Sequence, residues 1–308
     1  MPSWVRSGVL LGPESLPEWG KSHVALPWAI PSGPDQMRLF FSSRDSSGRS
    51  HVGAALIACD AGSLRVLEVE ADPLLSPGRA GCFDESGCTL SCVVERAGRL
   101  FLYYTGWTLG QTVPFYLLAG LAISEDGGQS FTRWSEGPLL PRSSVDPILT
   151  ASPMVLWGPD LCRMYYVSAS SWEPSPQGLR HKYHVRYAES EDGLNWRRNG
   201  LVCLDYSTGD EYAFGRPCVE RRRGGDYLMY FCSRGESYRL GVARSTDSKV
   251  WEREESDLLP GSSASAEAWD REMQAYPQVF ERGDFEYMLY NGNGYGSSGI
   301  GYASRRLG

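Results

Sequence analysis

The sequence predicts an all-β chain: a single five-bladed β-propeller over residues 1–308, with its fifth blade closed by the amino-terminal strand. Three observations carry this expectation. The chain holds 35 Gly, 17 Tyr and 10 Trp, a turn-rich and aromatic-rich composition that favours many short strands over long helices. An aromatic doublet recurs five times at near-constant spacing. The opening residues repeat a phrase that elsewhere ends a unit.

The doublet, or something near it, appears in "RLFFSSRD", "RLFLYYTGW", "RMYYVSAS", "YLMYFCSRG" and "EYMLYNGNG". Its second members are Phe41, Tyr104, Tyr166, Phe231 and Tyr290, at gaps of 63, 62, 65 and 59 residues. A fixed period of this kind is the signature of repeat architectures. A second phrase follows in each later copy: "GLAISEDGGQSF", "RYAESEDGLNW", "GVARSTDSKVW" and finally "GYASRRLG". Its alternation of small or apolar with polar residues is a period-2 strand pattern. Ser-x-Asp-Gly then makes a tight turn, because Asp bonds its own following backbone and Gly accepts positive φ. Ser124/Asp126, Ser190/Asp192 and Ser245/Asp247 are therefore read as turn residues.

Each unit thus comprises an inner strand, the aromatic strand, the G-x-A-x-S strand and an outer strand opening with Trp. Four strands per roughly sixty residues, repeated about an axis, make a propeller blade. The last unit stops at "GIGYASRRLG" and has no Trp-led outer strand of its own. The first residues supply one: "SWVRSGVLL" places Trp4 and Gly8 four apart, as are Trp196 and Gly200 in "NWRRNGLVCLD". Such closure would tie the two ends together and leave no open edge.

Bulk properties narrow the function. A net charge of -7 argues against a nucleic-acid surface, which needs a basic stripe. No apolar run approaches a membrane span and the start lacks a signal-peptide core, so the expected location is cytoplasmic. The eight cysteines form no paired C-x-x-C sets. Cys203, Cys218 and Cys232 lie in apolar strand-like runs and read as buried free thiols.

In a propeller the inner strands surround a central pocket, so the residues just before them are the first candidates for chemistry. They are Lys21, Ser22 and His23; Asp84 and Glu85; Ser152; Asp210, Glu211 and Arg216; and Asp270 and Glu272. Carboxylates and bases at one mouth can split their pKa values and act as acid and base. Glu211 or Glu272 is expected as acid/base, Asp84 as partner, and His23 in proton transfer. Further residues can reach the cavity from the strand after the doublet: Arg44, Trp107, Arg234, Tyr238, Asn291, Asn293 and Tyr295. Arginines suit a carboxylate or phosphate, and Trp107 and Tyr295 suit stacking on a sugar face. "YNGNGYGSSGIG" follows a strand without opening a helix, so it reads as a hairpin turn beside the pocket rather than a phosphate loop. No cofactor is expected. No calcium-type loop of oxygen ligands is present, so no metal is expected either.

These residues resemble the five-bladed propeller superfamily of glycoside hydrolases, families 43, 32 and 130. More specifically, "YYTGWTLGQTVP", "YAESEDGLNW", "DEYAFGRPCV", "YRLGVARSTD", "WDREMQAYP" and "YMLYNGNGYG" look like an uncharacterised glycosidase-like family associated with bacterial surface-polysaccharide biosynthesis. The resemblance runs from Lys21 to about Tyr302. It implies a carbohydrate-active enzyme working on a glycoside, an oligosaccharide, an acidic sugar or an activated sugar. Glycosidases need two carboxyl groups flanking the bond. The hydrolase families place Asp at the first inner strand, Asp before Pro at the third, and Glu at the fourth. Here those places hold Ser22/His23, Ser152 before Pro153, and Arg216 before Pro217. The basic set of Lys21, His23, Arg44, Arg216 and Arg234 fits an anionic substrate. Two alternatives stand beside hydrolysis or phosphorolysis: a non-catalytic carbohydrate-binding scaffold, and a biosynthetic cyclase or lyase on the same fold.

Overall fold

The computed structural model describes residues 3–176, 178–254, 258–259 and 268–307. These residues are nearly all β, arranged in antiparallel meanders in chain order. The first meander is Ser22–Gly33, Gln36–Arg44, Ser50–Asp60 and Ser63–Val69; the second is Gly87–Arg96, Arg99–Leu109, Phe115–Ser124 and Thr132–Arg133. They join as one eight-stranded sheet only through a parallel bridge between Ser50 and Gly87. Thr150–Trp157, Cys162–Ser175, Gly178–Ser190 and Arg197–Leu204 form the next sheet. After it, Ala213–Phe214 and Cys218–Arg221 both pair with Tyr227–Arg234, followed by Tyr238–Ser245 and Glu252–Glu254. The final sheet contains Ala275–Arg282, Phe285–Asn291, Ile300–Arg306 and, on its outer side, the amino-terminal strand Val5–Leu11. Val5 lies opposite Ser304 and Leu11 opposite Ile300. Trp4 is buried against the Arg305 guanidinium, 4.2 Å from its ring.

The doublets occupy the second strand of every group. Successive side chains of a strand point to opposite faces, so the two members serve two interfaces. Phe40, Phe41, Tyr103, Tyr104, Tyr165, Tyr166, Phe231 and Tyr290 are all essentially inaccessible. Both faces of each sheet are therefore packed against neighbours. The glycine of the G-x-A phrase makes room for the second ring: a Cβ at Gly120 would lie 2.5 Å from the Tyr104 ring, and one at Gly241 2.5 Å from Phe231. The third sheet departs from this rule by placing Arg186 opposite Tyr166.

The Ser-x-Asp turns form as expected. The Ser124, Ser190 and Ser245 hydroxyls donate to Asp126, Asp192 and Asp247 at 2.7, 2.9 and 3.0 Å. All eight cysteines are free thiols, and Cys203, Cys218 and Cys232 are buried. The connection expected as a plain hairpin turn contains a single helical turn, Asn293–Gly296, with Gly294 and Tyr295 at φ near +60°. It still links two antiparallel strands.

Candidate functional site

Two of the expected pocket carboxylates, Asp84 and Asp270, are built into the walls instead, as is Asp146, which the sequence reading did not single out. Asp84 is 1% exposed; it accepts from the Tyr104 hydroxyl at 2.9 Å and from Arg133 at 2.8 Å. Asp270, fully buried, accepts from the Tyr290 hydroxyl at 2.7 Å and pairs with Arg6 of the amino-terminal strand. Asp146 repeats the arrangement with Tyr166 at 3.0 Å, Arg198 at 2.9 Å and Arg186 at 3.1 Å. In each case the acid precedes the inner strand, the tyrosine is the doublet's second member, and an arginine comes from the outer strand. That arginine sits two residues after an aromatic, in Phe131-x-Arg133, Trp196-x-Arg198 and Trp4-x-Arg6.

Glu211 is the fourth version. Phe231 replaces the tyrosine and offers no hydroxyl. The longer glutamate instead takes a bidentate contact from Arg253 at 2.8 Å on both oxygens, and the Ser207 amide at 2.7 Å. Burial opposes its ionisation, but Arg253 and the Ser207 and Ser233 donors outweigh it and hold the carboxyl at about 2. A general acid near neutrality needs the opposite shift, and the geometry of Glu211 is that of a carboxylate latched to Arg253 and the Ser207 amide outside the cavity lining. Asp84 and Asp270 are likewise turned into the walls, where Asp84 Oδ2 meets Tyr104 and Arg133 and Asp270 meets Tyr290 and Arg6, rather than toward the cavity.

Arg216 is also a wall residue. It is fully buried, and burial pulls its guanidinium down to about 10. It donates to the carbonyls of Ser91 (3.1 Å), Pro27 (2.9 Å), Tyr276 (2.8 Å) and Pro277 (3.1 Å). Those carbonyls belong to three other inner strands, so the side chain stitches inner strands together from within. The remaining candidates outside the cavity are loop groups. Lys21 pairs with Glu18 at 2.6 Å, Glu85 accepts from the Gly81 amide at 2.7 Å, and Asp210 and Glu272 are exposed. Asn291 accepts from the Leu26 amide at 2.8 Å, and Asn293 accepts from the amides of Glu272 and Met273 at 2.8 and 3.0 Å. These two asparagines fix backbone around the mouth.

The structure does bring seven of the expected residues to one cavity of about 230 Å³: His23, Arg44, Trp107, Ser152, Arg234, Tyr238 and Tyr295. Among the described residues lining it there is no Asp or Glu. Arg44 and Arg234 have no carboxylate partner among the described residues. Arg234 is held instead by tyrosine rings, 5.4 Å from Tyr212, 5.6 Å from Tyr238 and 5.4 Å from Tyr295. Such cation–π packing holds a guanidinium without neutralising it. His23 lies 3.0 Å from the Ser22 hydroxyl, and burial together with Arg44 lowers its pKa.

The sequence reading missed His181, which stacks on Tyr183 at 3.9 Å between ring centres and lies 5.8 Å from Phe115. Burial, then Arg234 and Arg180, pull its imidazole down to about 4. Both imidazoles are thus neutral at pH 7. Tyr183, Phe115 and Tyr276 were missed as well, although they line the same space.

Among curated proteins, the uncharacterized proteins MT1551 and Rv1502, from two strains of Mycobacterium tuberculosis, are 37% and 36% identical over 301 residues, covering 98% of this chain and 98% of each relative. The chain belongs to the family of these mycobacterial proteins. No protein-family model matches it. Solved structures give the family its fold. A BT0996–RGII complex superposes with a TM-score of 0.72 at 17% identity, over 98% of this protein and 91% of that one. A structure described as "Glycoside hydrolase" gives 0.71 at 17%, over 98% and 92%. A thermostable family-43 glycoside hydrolase gives 0.62 at 14%, over 96% and 92%. The family member described here therefore has the fold of the propeller glycoside hydrolases.

Its cavity wall has one local device that positions side chains. Leu26, Ser152 and Tyr276 each precede a proline and each adopt positive φ, at 55°, 50° and 56°. A residue before proline ordinarily stays extended, and bulky side chains avoid positive φ. At each place the strand register slips, between Ala25 and Trp28, Ala151 and Met154, and Ala275 and Gln278. These bulges turn all three residues to the cavity. Bulges re-aim side chains in this way beside active sites, and strain concentrates there. A signal for them exists in the sequence, as Ala25-Leu26-Pro27, Ala151-Ser152-Pro153 and Ala275-Tyr276-Pro277.

Proposed function

We propose that the chain is a single five-bladed propeller, closed between its first and last strands, whose axial cavity holds an anionic carbohydrate. The observation carrying this reading is the pair Arg44 and Arg234, facing a cavity whose described lining has no carboxylate. Half-buried guanidinium groups with no carboxylate partner among the described residues favour a carboxylate or phosphate on the ligand, with a planar donor fork to receive it. Trp107, Phe115 and Tyr295 supply the aromatic faces that sugar rings pack on. The likeness to glycoside hydrolase structures supports carbohydrate as the class. Two-carboxylate hydrolysis draws no support, because that mechanism needs two acids at the bond and the described residues lining the cavity include none.

The test is calorimetric titration of the full chain with neutral sugars, uronic acids and sugar phosphates. Binding confined to the acidic compounds, and lost in R44M and R234M variants that melt normally, is the expected result. Neutral sugars binding as tightly as their acidic counterparts would overturn it.

A second reading adds catalysis to the same cavity. His23 is neutral at pH 7 and borders the cavity, so its imidazole can accept a proton from bound ligand. Once an acidic carbohydrate that turns over is found, H23N should bind it normally and convert it far more slowly. Full activity in H23N would leave binding as the whole function.

A further inference from the structure

We propose that the ligand carries two separated acidic groups, one seated at Arg44 and the other at Arg234, with its ring between them. This rests on the anionic-carbohydrate reading and narrows it. Arg44 ends the strand Gln36–Arg44, opposite Ser22 and Ser50 in the first meander. Arg234 ends Tyr227–Arg234, opposite Tyr238 in the fourth sheet. Among the described residues those two sheets share no hydrogen-bonded ladder, so the guanidinium groups enter the cavity from different sheets.

Each arginine also has its own surroundings. Arg234 is flanked by three tyrosine rings, and its Nε is buried with no hydrogen-bond partner. Its field, with that of Arg180, reaches His181. The field of Arg44 reaches His23. Arg180 itself pairs with Glu173, 3.8 Å away, a carboxylate it shares with Lys182 at 3.7 Å, and it is not among the residues lining the cavity. Two cationic stations therefore enter from separate sheets, each beside a neutral imidazole, and neither has a carboxylate partner among the described residues. A monoanion would satisfy one and leave the other half-buried and unpaired, which is unfavourable for a partly buried charge. Two acidic groups satisfy both.

The same cavity is also lined by Leu26, Trp107, Leu117, Val167 and Tyr276. These are surfaces for the faces of a ring rather than for further charge. At about 230 Å³ the cavity falls below the usual range for drug-sized ligands, about 300–1,000 Å³. It is sized for one sugar ring with its substituents.

The experiment titrates the full chain with glucose, glucose 6-phosphate and glucose 1,6-bisphosphate, with glucuronic acid 1-phosphate as a mixed phosphate–carboxylate probe that keeps the ring. The two bis-acids should bind at least tenfold more tightly than glucose 6-phosphate. R44M and R234M should each erase that preference, and R44K and R234K, which keep the charge, should retain part of it. Thermal melting of every variant separates lost binding from lost folding. Equal affinity for mono- and bis-acids in the natural protein overturns the two-station proposal while leaving the anionic reading intact. So does abolition of all binding by one variant with no effect of the other. If no acidic probe binds better than glucose, both readings fall together.

Discussion

Replacing Arg6 by alanine should unfasten the amino-terminal strand. Arg6 is the only cation that pairs with Asp270 among the described residues, and the Asp270 side chain is 0% exposed. Its remaining partner is the Tyr290 hydroxyl at 2.7 Å. Breaking a buried ion pair by removing one partner costs about 3–5 kcal/mol, because the other charge is left desolvated. The Arg6 side chain is 21% exposed, so water can enter when it is truncated. The loss should therefore fall near the lower end, about 3 kcal/mol. Y290F, which removes one hydrogen bond to a charged group, should cost less, about 1.5–3 kcal/mol. Adding D270N to R6A should recover part of the loss by removing the stranded charge. The assay is the urea midpoint of each variant, beside an R65A control on an exposed residue, with hydrogen exchange on the amides of Ile300–Arg306. The amides that bond to Val5–Leu11 should exchange faster in R6A. An R6A midpoint equal to the control, or unchanged exchange on those amides, would refute the latch.

Other outcomes follow from the same geometry. R216M should be strongly destabilised, by about 4 kcal/mol or more, since several buried carbonyls lose their donor together; R216K should rescue little, because an ammonium cannot span the same four acceptors. Glu211 has its folded pKa below its ordinary value of 4.5, at about 2. Its stabilisation is therefore complete above about pH 4.5 and lost as pH falls toward 2, and thermal melts of E211Q should lack that part of the acid dependence. His181 is pulled from 6.5 to about 4, so the unfolded chain binds the proton first and stability falls as pH drops from about 6.5 to 4. The loss is roughly 3 kcal/mol, and its absence in H181F would be seen in the same melts. Cys82 is the one thiol that is not fully buried, and burial pushes the Cys92, Cys218 and Cys232 thiols up to about 12. A thiol reagent should therefore titrate one cysteine in the native protein and eight after unfolding.

The latches were legible in the sequence, but only by their spacing. Asp84 to Tyr104, Asp146 to Tyr166 and Asp270 to Tyr290 are each 20 residues apart, and Glu211 to Phe231 is the same step (231 − 211 = 20). A constant offset from a buried aromatic marks a structural position, whereas free pocket acids have no reason to keep one. The first unit confirms the rule by its exception. Twenty residues before Phe41 stands Lys21, and there Trp19 stacks on Phe41 instead, at 5.9 Å.

Local chemistry explains what the sequence alone determined. Strand alternation, the aromatic doublets, the Ser-x-Asp turns and the pairing phrase around Trp4 depend on near neighbours and on period, and these are written along the chain. Which charged groups face the cavity depends on direction and burial, and only tertiary structure decided that. A bulge before Pro27, Pro153 or Pro277 turns Leu26, Ser152 or Tyr276 inward, while a hydroxyl and a guanidinium from distant strands draw Asp84 and Asp270 into the walls. A carboxylate goes where its lone pairs are best satisfied out of water, and that partner can lie 264 residues away, as Arg6 does from Asp270.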